Sequence, residues 1–479
     1  MLLNSFSFMV VVGLVAVLYV IFMDVPASGT PARRTSLANT LLLILSYVFF
    51  LTHSPAGAVI LFGVTVVAYF SGLILGHHRG PRARPWLTFS LVLLALVPLL
   101  IFKYYNFVSG AIADALGALG VTLETGRISW IIPLGISFFT FQALGYIFDV
   151  YRGKEQPERN FGHFMLFIAF FPQIASGPIS RAGELLPQIK NTRTFAYSDV
   201  TAGVKLLLWG YFLKAVFADR MAMYADPVFA NYTNFSGWTC FQASIAYSLQ
   251  IYGDFAGYSL MAIGVGRIFG FHLPTNFQRP YLSASVTEFW RRWHMSLSRW
   301  LRDYVYIPLG GSRCSTHKTY RNILATFIVS GIWHGANWTF LAWGAIHGVV
   351  QSIEKFFHLN GTPSHRLTRL LRIALTFLVV NFAWIFFRSP SIADGWKFIV
   401  RIFTCADGVP LSIKNTTVVL ILMSAAVVLV KEIIEETRPG VSLVNHSNAA
   451  VRWATCLALI LAILLFGVLD SGQFIYVNF

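Results

Sequence analysis

The chain has 479 residues, of which 56% are hydrophobic and only 12% are charged, and its mean hydropathy is +0.64. Soluble domains carry about a quarter charged residues, so this composition excludes an ordinary soluble protein and predicts an integral membrane protein. The formal net charge of +16 comes without a nucleic-acid-binding motif. We therefore expect no nucleic acid partner, and we expect basic clusters such as 79–84 and 366–372 to lie beside the membrane and contact lipids.

Apolar stretches near the ~20 residues that span a bilayer follow one another along the chain. They lie near residues 7–23, 37–52, 56–76, 86–102, 130–148, 162–178, 200–217, 238–265, 324–350, 373–388, 416–432 and 453–470. The first lacks a basic start and a small-residue cleavage site, so we expect it to be retained as a helix. Because several are short or contain Pro and Gly, we predict one all-α membrane domain over 1–479 with 10–12 transmembrane or re-entrant helices.

The common catalytic and metal-binding motifs are missing from the sequence. The four cysteines, Cys240, Cys314, Cys405 and Cys456, lack the spacing of a metal site. There is no G-x-S-x-G turn, no Walker A loop and no HExxH motif. We therefore expect no metal and no bound cofactor, and the missing Walker A loop argues against an ATP-driven pump. A membrane-embedded transferase or a transporter remains.

The segment 287–306 lies in the longest polar stretch of the chain and is rich in Arg and Trp. Read as one helix, it gathers Arg291, Arg292 and Asp303 on one side and large apolar residues on the other. Such a helix is expected to lie at the membrane interface. His294 falls on the apolar side, where a lone histidine is more often a hydrogen-bonded core residue than a catalyst.

The motif GIWHGANWTF, residues 331–340, places a second histidine inside the apolar stretch 324–350. On a continuous helix, His334 would lie about 15 Å from the start of that stretch, near the bilayer midplane. An ionisable residue at that depth usually faces a cavity or the interior of the helix bundle. Burial favours the neutral imidazole, which can accept a proton from a hydroxyl. The alternative is a packing histidine bonded to a backbone carbonyl.

The surroundings of His334 favour a cavity. Gly331 and Gly335 are four residues apart, so one helix face is bare and a neighbouring helix or a substrate can approach it. His294 and His334 are 40 residues apart, and a loop that folds back would let the two rings share one cavity. Three neighbours are expected to line it: Trp333, Asn337 and Trp338.

Polar residues elsewhere in apolar stretches are further candidates. Gln142 and Tyr146 are one helical turn apart, with Asp149 on or near the same face, and we expect them to line a tunnel. Asp254 is either a buried carboxylate of the site or a residue that pairs two helices through a bond to Tyr or Arg. Arg181 is expected to hold a phosphate or a carbonyl group.

Several long motifs occur in a fixed order. They are FKYYNF (102–107), PLGISFFTFQALGYIFDVYRG (133–153), FFPQIASGPISR (170–181), YGDFAGYSLMAIG (252–264), NFQRPYLSASVTEFW (276–290), FWRRWHMSLSRWLRDYVYIPLGG (289–311) and GIWHGANWTFLAWGAIHG (331–348). Together they resemble the membrane-bound O-acyltransferase (MBOAT) family. The nearest branch is the bacterial one that acts on alginate, peptidoglycan or teichoic acid. The resemblance is good over about residues 100–390 and loose elsewhere.

The resemblance implies a fold, a reaction and a set of partners. It implies helices around a central tunnel, a catalytic core at 100–390, and a place in the bacterial cytoplasmic (inner) membrane. It implies acyl transfer from a cytoplasmic thioester, acetyl-CoA or an acyl carrier, to a hydroxyl. His334 matches the family's catalytic histidine, and His294 matches its second polar position. It further implies an extracytoplasmic polysaccharide acceptor and a periplasmic SGNH-type acetyltransferase partner.

Differences from the family pattern leave the acceptor open. Ala256 stands where alginate-type members more often have Ser, and the region after residue 390 is shorter. Acetyl transfer to an exopolysaccharide is expected first, then acetyl transfer to peptidoglycan, and then D-alanyl transfer to teichoic acid. Outside the enzymes, a transporter would use the histidines as proton relays, and a scaffold would not use them. The sequence shows no inverted repeat of the kind found in many transporters, which favours the enzyme.

Overall fold

The structure is a computed structural model that describes residues 13–19, 21, 31–77, 84–123, 126–174, 176–193, 196–361, 363–438 and 440–468. Within these residues the regular structure is helical, and the β pairing amounts to an isolated bridge between Phe235 and Val409. The predicted all-α class is confirmed. Of the predicted span at 7–23 the structure describes residues 13–19 and 21, and of the basic cluster at 79–84 it describes only residue 84.

The chain divides into two compact units. The first comprises Met1–Gly203 and Val265–Pro274, and the second comprises Val204–Gly264 and Thr275–Phe479. The helices of the first unit are α1 (Pro31–His53), α2 (Pro55–His77), α3 (Arg84–Leu99), α4 (Tyr105–Ala118), α5 (Ile136–Tyr151), α6 (Phe161–Ala169), α7 (Phe171–Ile174) and α8 (Ala182–Lys190). A π-helical turn, Leu100–Tyr104, joins α3 to α4.

The boundary between the two units falls within α9 (Tyr197–Tyr211). Its first turns, up to Gly203, belong to the first unit, and the rest belongs to the second. The other helices of the second unit are α10 (Asp219–Ala230), α11 (Gly237–Ile268), α12 (Val286–Arg292), α13 (Met295–Leu301), α14 (Thr316–His334), α15 (Trp338–Phe356), α16 (Arg366–Arg388), α17 (Ile392–Phe403), α18 (Asn415–Thr437) and α19 (Ala449–Phe466). Two π-helical segments, Phe212–Ala218 and Arg302–Tyr306, follow α9 and α13.

Seven helical segments of the described residues are long and apolar enough to cross a membrane. They are Arg33–His53, Pro55–His77, Pro85–Ala118, Tyr197–Ala230, Arg366–Arg388, Asn415–Thr437 and Ala449–Phe466. The predicted spans at 130–148 and 162–178 correspond instead to the short helices α5 to α7. The predicted number of 10–12 helices included re-entrant helices, which enter the membrane without crossing it. The helices α5 to α7 are short enough to be of this kind.

The predicted span at 238–265 is the continuous helix α11, which is 32 residues long. It is not among the seven apolar segments, because its sequence carries Gln, Ser, Tyr and Asp residues. Every residue from 251 to 259 is buried within the protein. Protein rather than lipid therefore surrounds this part of the helix, and polar side chains there can find hydrogen-bond partners.

The predicted single span at 324–350 is wrong, because the chain turns back at residues 335–337 and forms the pair α14 and α15. A Cβ atom on Gly331 would lie 2.3 Å from the carbonyl oxygen of Phe340, and one on Gly344 would lie 2.3 Å from that of Phe327. The two backbones therefore touch along a tight helical hairpin. His334 lies at its tip, so a depth deduced from a continuous helix does not apply. The bare face predicted at Gly331 packs against α15.

We expect the substitution Gly331→Ala to destabilise this hairpin, because the new methyl group would overlap the Phe340 carbonyl oxygen. Overpacking of this kind costs about 1–3 kcal/mol. The melting temperature of the purified protein in detergent should fall accordingly. Gly63→Ala in α2 is the matched control, since a Cβ atom there meets nothing within 4 Å. Equal melting temperatures for the two variants would contradict the close packing of α14 on α15.

Candidate active site

The predicted helix at 287–306 is interrupted at His294. This residue has φ 42°, in the left-handed region, and it separates α12 from α13. A non-glycine residue rarely adopts this conformation unless its surroundings hold it there. Ser285 caps α12 by accepting a hydrogen bond from the Glu288 N–H at 3.0 Å. The break turns the His294 side chain into the protein, where its exposed fraction is 0%.

The His294 ring lies between a polar and an aromatic group of neighbours. Its Nδ1 lies 3.2 Å from Oδ1 of Asn276. Its ring centre is 4.7 Å from that of Phe255 in α11 and 5.8 Å from that of Trp333 in α14. His294 lies outside the seven apolar segments, and burial lowers its pKa to about 3. The ring is therefore neutral at physiological pH.

His334, the last residue of α14, is enclosed by aromatic rings. Its exposed fraction is 2%. Its ring centre lies 4.8 Å from Trp333, 4.9 Å from Trp343 and 5.3 Å from Phe387. Since Trp333 also contacts His294, the structure brings both predicted histidines to one tryptophan. Their catalytic roles stay predictions.

A third histidine, His347 in α15, extends this series and was missed in the sequence. It has an exposed fraction of 0%, and its Nδ1 accepts a hydrogen bond from Trp290 Nε1 at 3.2 Å. Its ring centre is 5.0 Å from Trp343. Histidines and tryptophans thus alternate in contact, in the order His294, Trp333, His334, Trp343, His347 and Trp290. A continuous helix at 324–350 would separate positions 334 and 347, and only the hairpin brings them together.

Glu354 of α15 holds the hairpin against α12. Its carboxylate accepts hydrogen bonds from the Val286 N–H at 2.5 Å and from the Thr287 N–H at 2.9 Å. These are free backbone donors of the first turn of α12, where a negative charge is favourable. The contact places Trp290, one turn further along α12, against His347.

A cavity of about 360 Å³ lies between α12, α14 and α15. Arg291 stands at its exposed side, while Trp290 and Ser330 form buried parts of the wall. Ser330 is one turn before His334 in α14, so the cavity reaches the inner part of the hairpin. Its charged lining is cationic and consists of Arg291, Arg302 and Lys355. The cavity can therefore hold an anionic group at its rim and a longer chain toward the histidines.

Two other predicted charged residues, Arg292 and Asp303, are engaged in ion pairs. Arg292 donates to Glu288 at 2.6 Å and to Glu436 of α18 at 3.0 Å. Arg302 pairs with Asp303 at 2.7 Å. Glu436 also accepts from Arg279 at 2.8 Å and from Arg369 at 2.9 Å. Arg292 thus fastens α12 to α18.

Asn337 and Trp338, predicted beside His334, shape the tip of the hairpin. Asn337 Oδ1 accepts from the Thr339 N–H at 3.1 Å and caps α15, while its Nδ2 donates to the Pro390 carbonyl at 2.9 Å. This cap begins a new helix, which explains why the apolar stretch is divided here. Trp338 is 55% exposed.

Asp254 fits the helix-pairing interpretation, although its partner is a lysine. Lys214 Nζ lies 2.7 Å from Asp254 Oδ1 and 2.8 Å from Asp219 Oδ1. All three side chains are buried. At the same interface, a Cβ atom on Gly257 would lie 2.7 Å from the carbonyl oxygen of Gly210, so α9 and α11 are in backbone contact.

Three further predicted residues lie in the first unit: Gln142, Tyr146 and Arg181. Gln142 Nε2 donates to the Phe167 carbonyl at 2.7 Å, and the Tyr146 hydroxyl accepts from the Glu158 N–H at 3.0 Å. Arg181 directly precedes α8. The bonds of Gln142 and Tyr146 support packing of the first unit. Tunnel lining by these two residues, and binding of a phosphate or carbonyl group by Arg181, stay predictions.

The amino-acid sequence is similar to those of known proteins over most of its length. Residues 160–392 match the sequence profile of the membrane-bound O-acyltransferase family, and that range contains His294, His334 and His347. The chain is 40% identical to the probable alginate O-acetylase of Azotobacter vinelandii, over 79% of this chain and 74% of that protein. It is 36% identical to the peptidoglycan O-acetyltransferase of Helicobacter pylori, over 71% and 69%. It is 27% identical to the teichoic acid D-alanyltransferase of Bacillus subtilis, over 80% and 97%.

Proposed function

Since this chain belongs to the membrane-bound O-acyltransferase family, we propose that it moves an acetyl group from a cytoplasmic thioester toward an extracytoplasmic polysaccharide. The coarser conclusion, an O-acyltransferase that crosses the membrane several times, follows from the family and from the seven apolar segments among the described residues. Membership of an acyltransferase family therefore argues against the transporter and the scaffold that the sequence had left as alternatives. Acetyl is favoured because relatives named O-acetylase or O-acetyltransferase are 36% to 41% identical, against 27% to 28% for relatives named D-alanyltransferase.

His334 is the proposed general base, and its burial in the hairpin tip is the observation that supports this role most. The acceptor hydroxyl oxygen attacks the thioester carbonyl carbon while His334 takes the hydroxyl proton. The carbon–sulfur bond then breaks, and the thiolate leaves with the proton from the imidazolium. The aromatic rings of Trp333, Trp343 and Phe387 exclude water from the ring, which limits hydrolysis of the thioester.

The cationic cavity is the proposed entrance for the donor. Acetyl-CoA and a carrier-bound phosphopantetheine both carry phosphate at one end and a thioester at the other. Guanidinium groups bind phosphate through charge-assisted hydrogen bonds. Arg291 stands at the exposed side of the cavity and Ser330 one turn from His334, so a donor bound at the arginine can extend toward the base. The volume lies within the range typical of small-molecule sites, about 300–1,000 Å³.

We expect Arg291→Gln to raise the KM for acetyl-CoA about 10- to 100-fold with little change in kcat, because one charge-assisted hydrogen bond contributes about 1.5–3 kcal/mol. The measurement is initial-rate kinetics at low salt. Arg366→Gln is the control, since Arg366 is exposed at the start of α16 and outside the cavity lining. An unchanged KM in Arg291→Gln would show that Arg291 does not bind the donor.

We propose an acceptor outside the cytoplasm and a location of the enzyme in the bacterial inner membrane. The acetyl group would pass to a hydroxyl of a periplasmic SGNH-type acetyltransferase and from there to the polymer. The name of the 40%-identical relative favours an alginate-like exopolysaccharide, and that of the 36%-identical relative favours peptidoglycan. D-Alanyl transfer to teichoic acid is the second candidate, because the Bacillus subtilis relative is matched over 97% of its length.

Inverted membrane vesicles from the producing strain test the donor and the acceptor together, since they retain native partners. The vesicles receive either radiolabelled acetyl-CoA or a carrier protein loaded with radiolabelled D-alanine. Alkali-labile label in polysaccharide from acetyl-CoA, present only when this gene is intact, is the expected result. Label from the D-alanyl carrier alone would overturn the acetyl proposal. Transfer from neither donor, with the protein folded in the vesicles, would overturn a thioester donor.

A further inference from the structure

Asn276, the first residue of the motif at 276–290, makes a set of buried hydrogen bonds. Its Oδ1 lies 3.2 Å from the Ser296 backbone nitrogen, 2.9 Å from the Ser296 hydroxyl and 3.2 Å from His294 Nδ1. Its Nδ2 donates to the Ser259 hydroxyl at 3.0 Å. The exposed fraction of Asn276 is 1%. One buried amide thus contacts both the histidine and the first turn of α13.

The chemistry of these partners fixes the orientation of the amide. A backbone N–H can only donate, so the Asn276 atom that faces the Ser296 nitrogen has to be the oxygen. His294 Nδ1 faces the same oxygen and therefore has to donate to it. A neutral imidazole carries one N–H, so a proton on Nδ1 leaves Nε2 with a lone pair. His294 is then a hydrogen-bond acceptor at Nε2.

The backbone holds this arrangement in place. The Met295 N–H donates to the Asn276 carbonyl at 2.9 Å, and the Gln278 N–H donates to the Arg292 carbonyl at 2.9 Å. These two bonds tie the segment that contains Asn276 to both sides of the His294 break. The left-handed φ of His294 is thereby maintained, and its ring stays against the amide.

His347 is held in the opposite way. Its Nδ1 faces Trp290 Nε1 at 3.2 Å, and an indole nitrogen can only donate. Nδ1 of His347 is therefore the acceptor, and in the neutral ring the proton is on Nε2. The two outer histidines of the alternating series consequently present different groups at Nε2, a lone pair on His294 and an N–H on His347.

We propose that Asn276 is a positioning residue that holds His294 as the Nδ1–H tautomer, so that His294 presents a proton acceptor at Nε2, while Trp290 holds His347 as the opposite tautomer. The catalytic consequence rests on the proposed function. His294 orients the acceptor hydroxyl by accepting its hydrogen bond, and a neutral His294 does not donate to the developing oxyanion. His294 in this tautomer therefore does not stabilise the negative charge that develops on the oxyanion.

Solid-state ¹⁵N NMR of histidine-labelled protein in lipid bilayers reads the tautomers directly. His294→Gln and His347→Gln assign the two sets of resonances. We expect wild-type His294 to show a protonated Nδ1 and an unprotonated Nε2, and His347 to show the reverse. Asn276→Asp keeps an acceptor and should keep the Nδ1–H, whereas Asn276→Leu should lose it. Ser259→Ala, which alters only the Nδ2 side of the amide, is the matched control and should keep the wild-type pattern.

Acetyl transfer by the same proteins supplies the functional readout. Asn276→Leu should lower kcat about 10- to 100-fold with little change in KM, and Asn276→Asp should recover part of that loss. A wild-type His294 with a protonated Nε2, or the same tautomer in Asn276→Leu, would overturn the inference. If Asn276→Leu fails to fold, the wild-type and Asn276→Asp spectra still decide it. Absence of transfer by wild type would refute the proposed function alone, because the spectra do not depend on turnover.

Discussion

Replacing His334 with alanine is expected to lower kcat for acyl transfer about 10²- to 10⁴-fold, the contribution of a positioned general base. The ring is 2% exposed and lies among Trp333, Trp343 and Phe387, where water cannot readily replace it as a base. Because the proton is taken only as the bond forms, kcat and kcat/KM should fall together. Initial rates with purified protein and acetyl-CoA are the measurement.

His317→Ala is the matched control for this variant. His317 lies on the same helix, α14, but at its exposed first turn. Its substitution should leave kcat within about twofold, since surface changes are usually small. Both variants should insert into the membrane and melt cooperatively. Equal kcat in His334→Ala and His317→Ala would exclude His334 as the base.

Replacing Lys214 with methionine is expected to destabilise the second unit by about 3–5 kcal/mol, because it leaves two buried carboxylates without their cation. Lys214 lies between Asp219 and Asp254, and its exposed fraction is 3%. The effect should reach the site, since Phe255 and Ser259 on α11 contact His294 and Asn276. Thermal unfolding in detergent, together with kcat, measures both consequences.

Lys205→Met provides the comparison for Lys214→Met. Lys205 lies on α9, which runs directly into the π-helical segment that carries Lys214, and it donates to Asn445 at 2.9 Å in an exposed position. Its loss should change stability by no more than about 0.5 kcal/mol. Adding Asp254→Asn to Lys214→Met should restore part of the stability by removing one uncompensated charge. A melting temperature for Lys214→Met equal to that of Lys205→Met would show that the buried ion pairs contribute little.

The membrane class and the unusual histidine His334 could be found from sequence because both signals are local. The length of an apolar stretch identifies a transmembrane helix without knowledge of the helices around it. The motif GIWHGANWTF identifies an unusual histidine by the residues next to it. The division of 324–350 was missed because the apolar pattern continues through the turn without a proline. The Asn337 cap was the available signal, since Asn begins helices readily.

Residues that depend on distant contacts could not be predicted in the same way. Asn276 meets His294 from a separate segment, and the left-handed φ of His294 follows from those tertiary bonds rather than from its own preference. His347 joins the site only once the hairpin has formed. Lys214 lies 40 residues before Asp254 and reaches it across the contact of α9 with α11. Each of these depends on how helices pack, which periodicity along one helix does not report.

The most direct test of His334 as the centre of an O-acyltransferase is the ester content of the polymer that cells make. A strain deleted for this gene receives either the wild-type gene or His334→Ala, with the amount of protein in the membrane matched. We expect O-acetyl esters on the exported polysaccharide with the wild-type gene and their loss with His334→Ala. Esters at the wild-type level in His334→Ala would contradict the role of this histidine in acyl transfer.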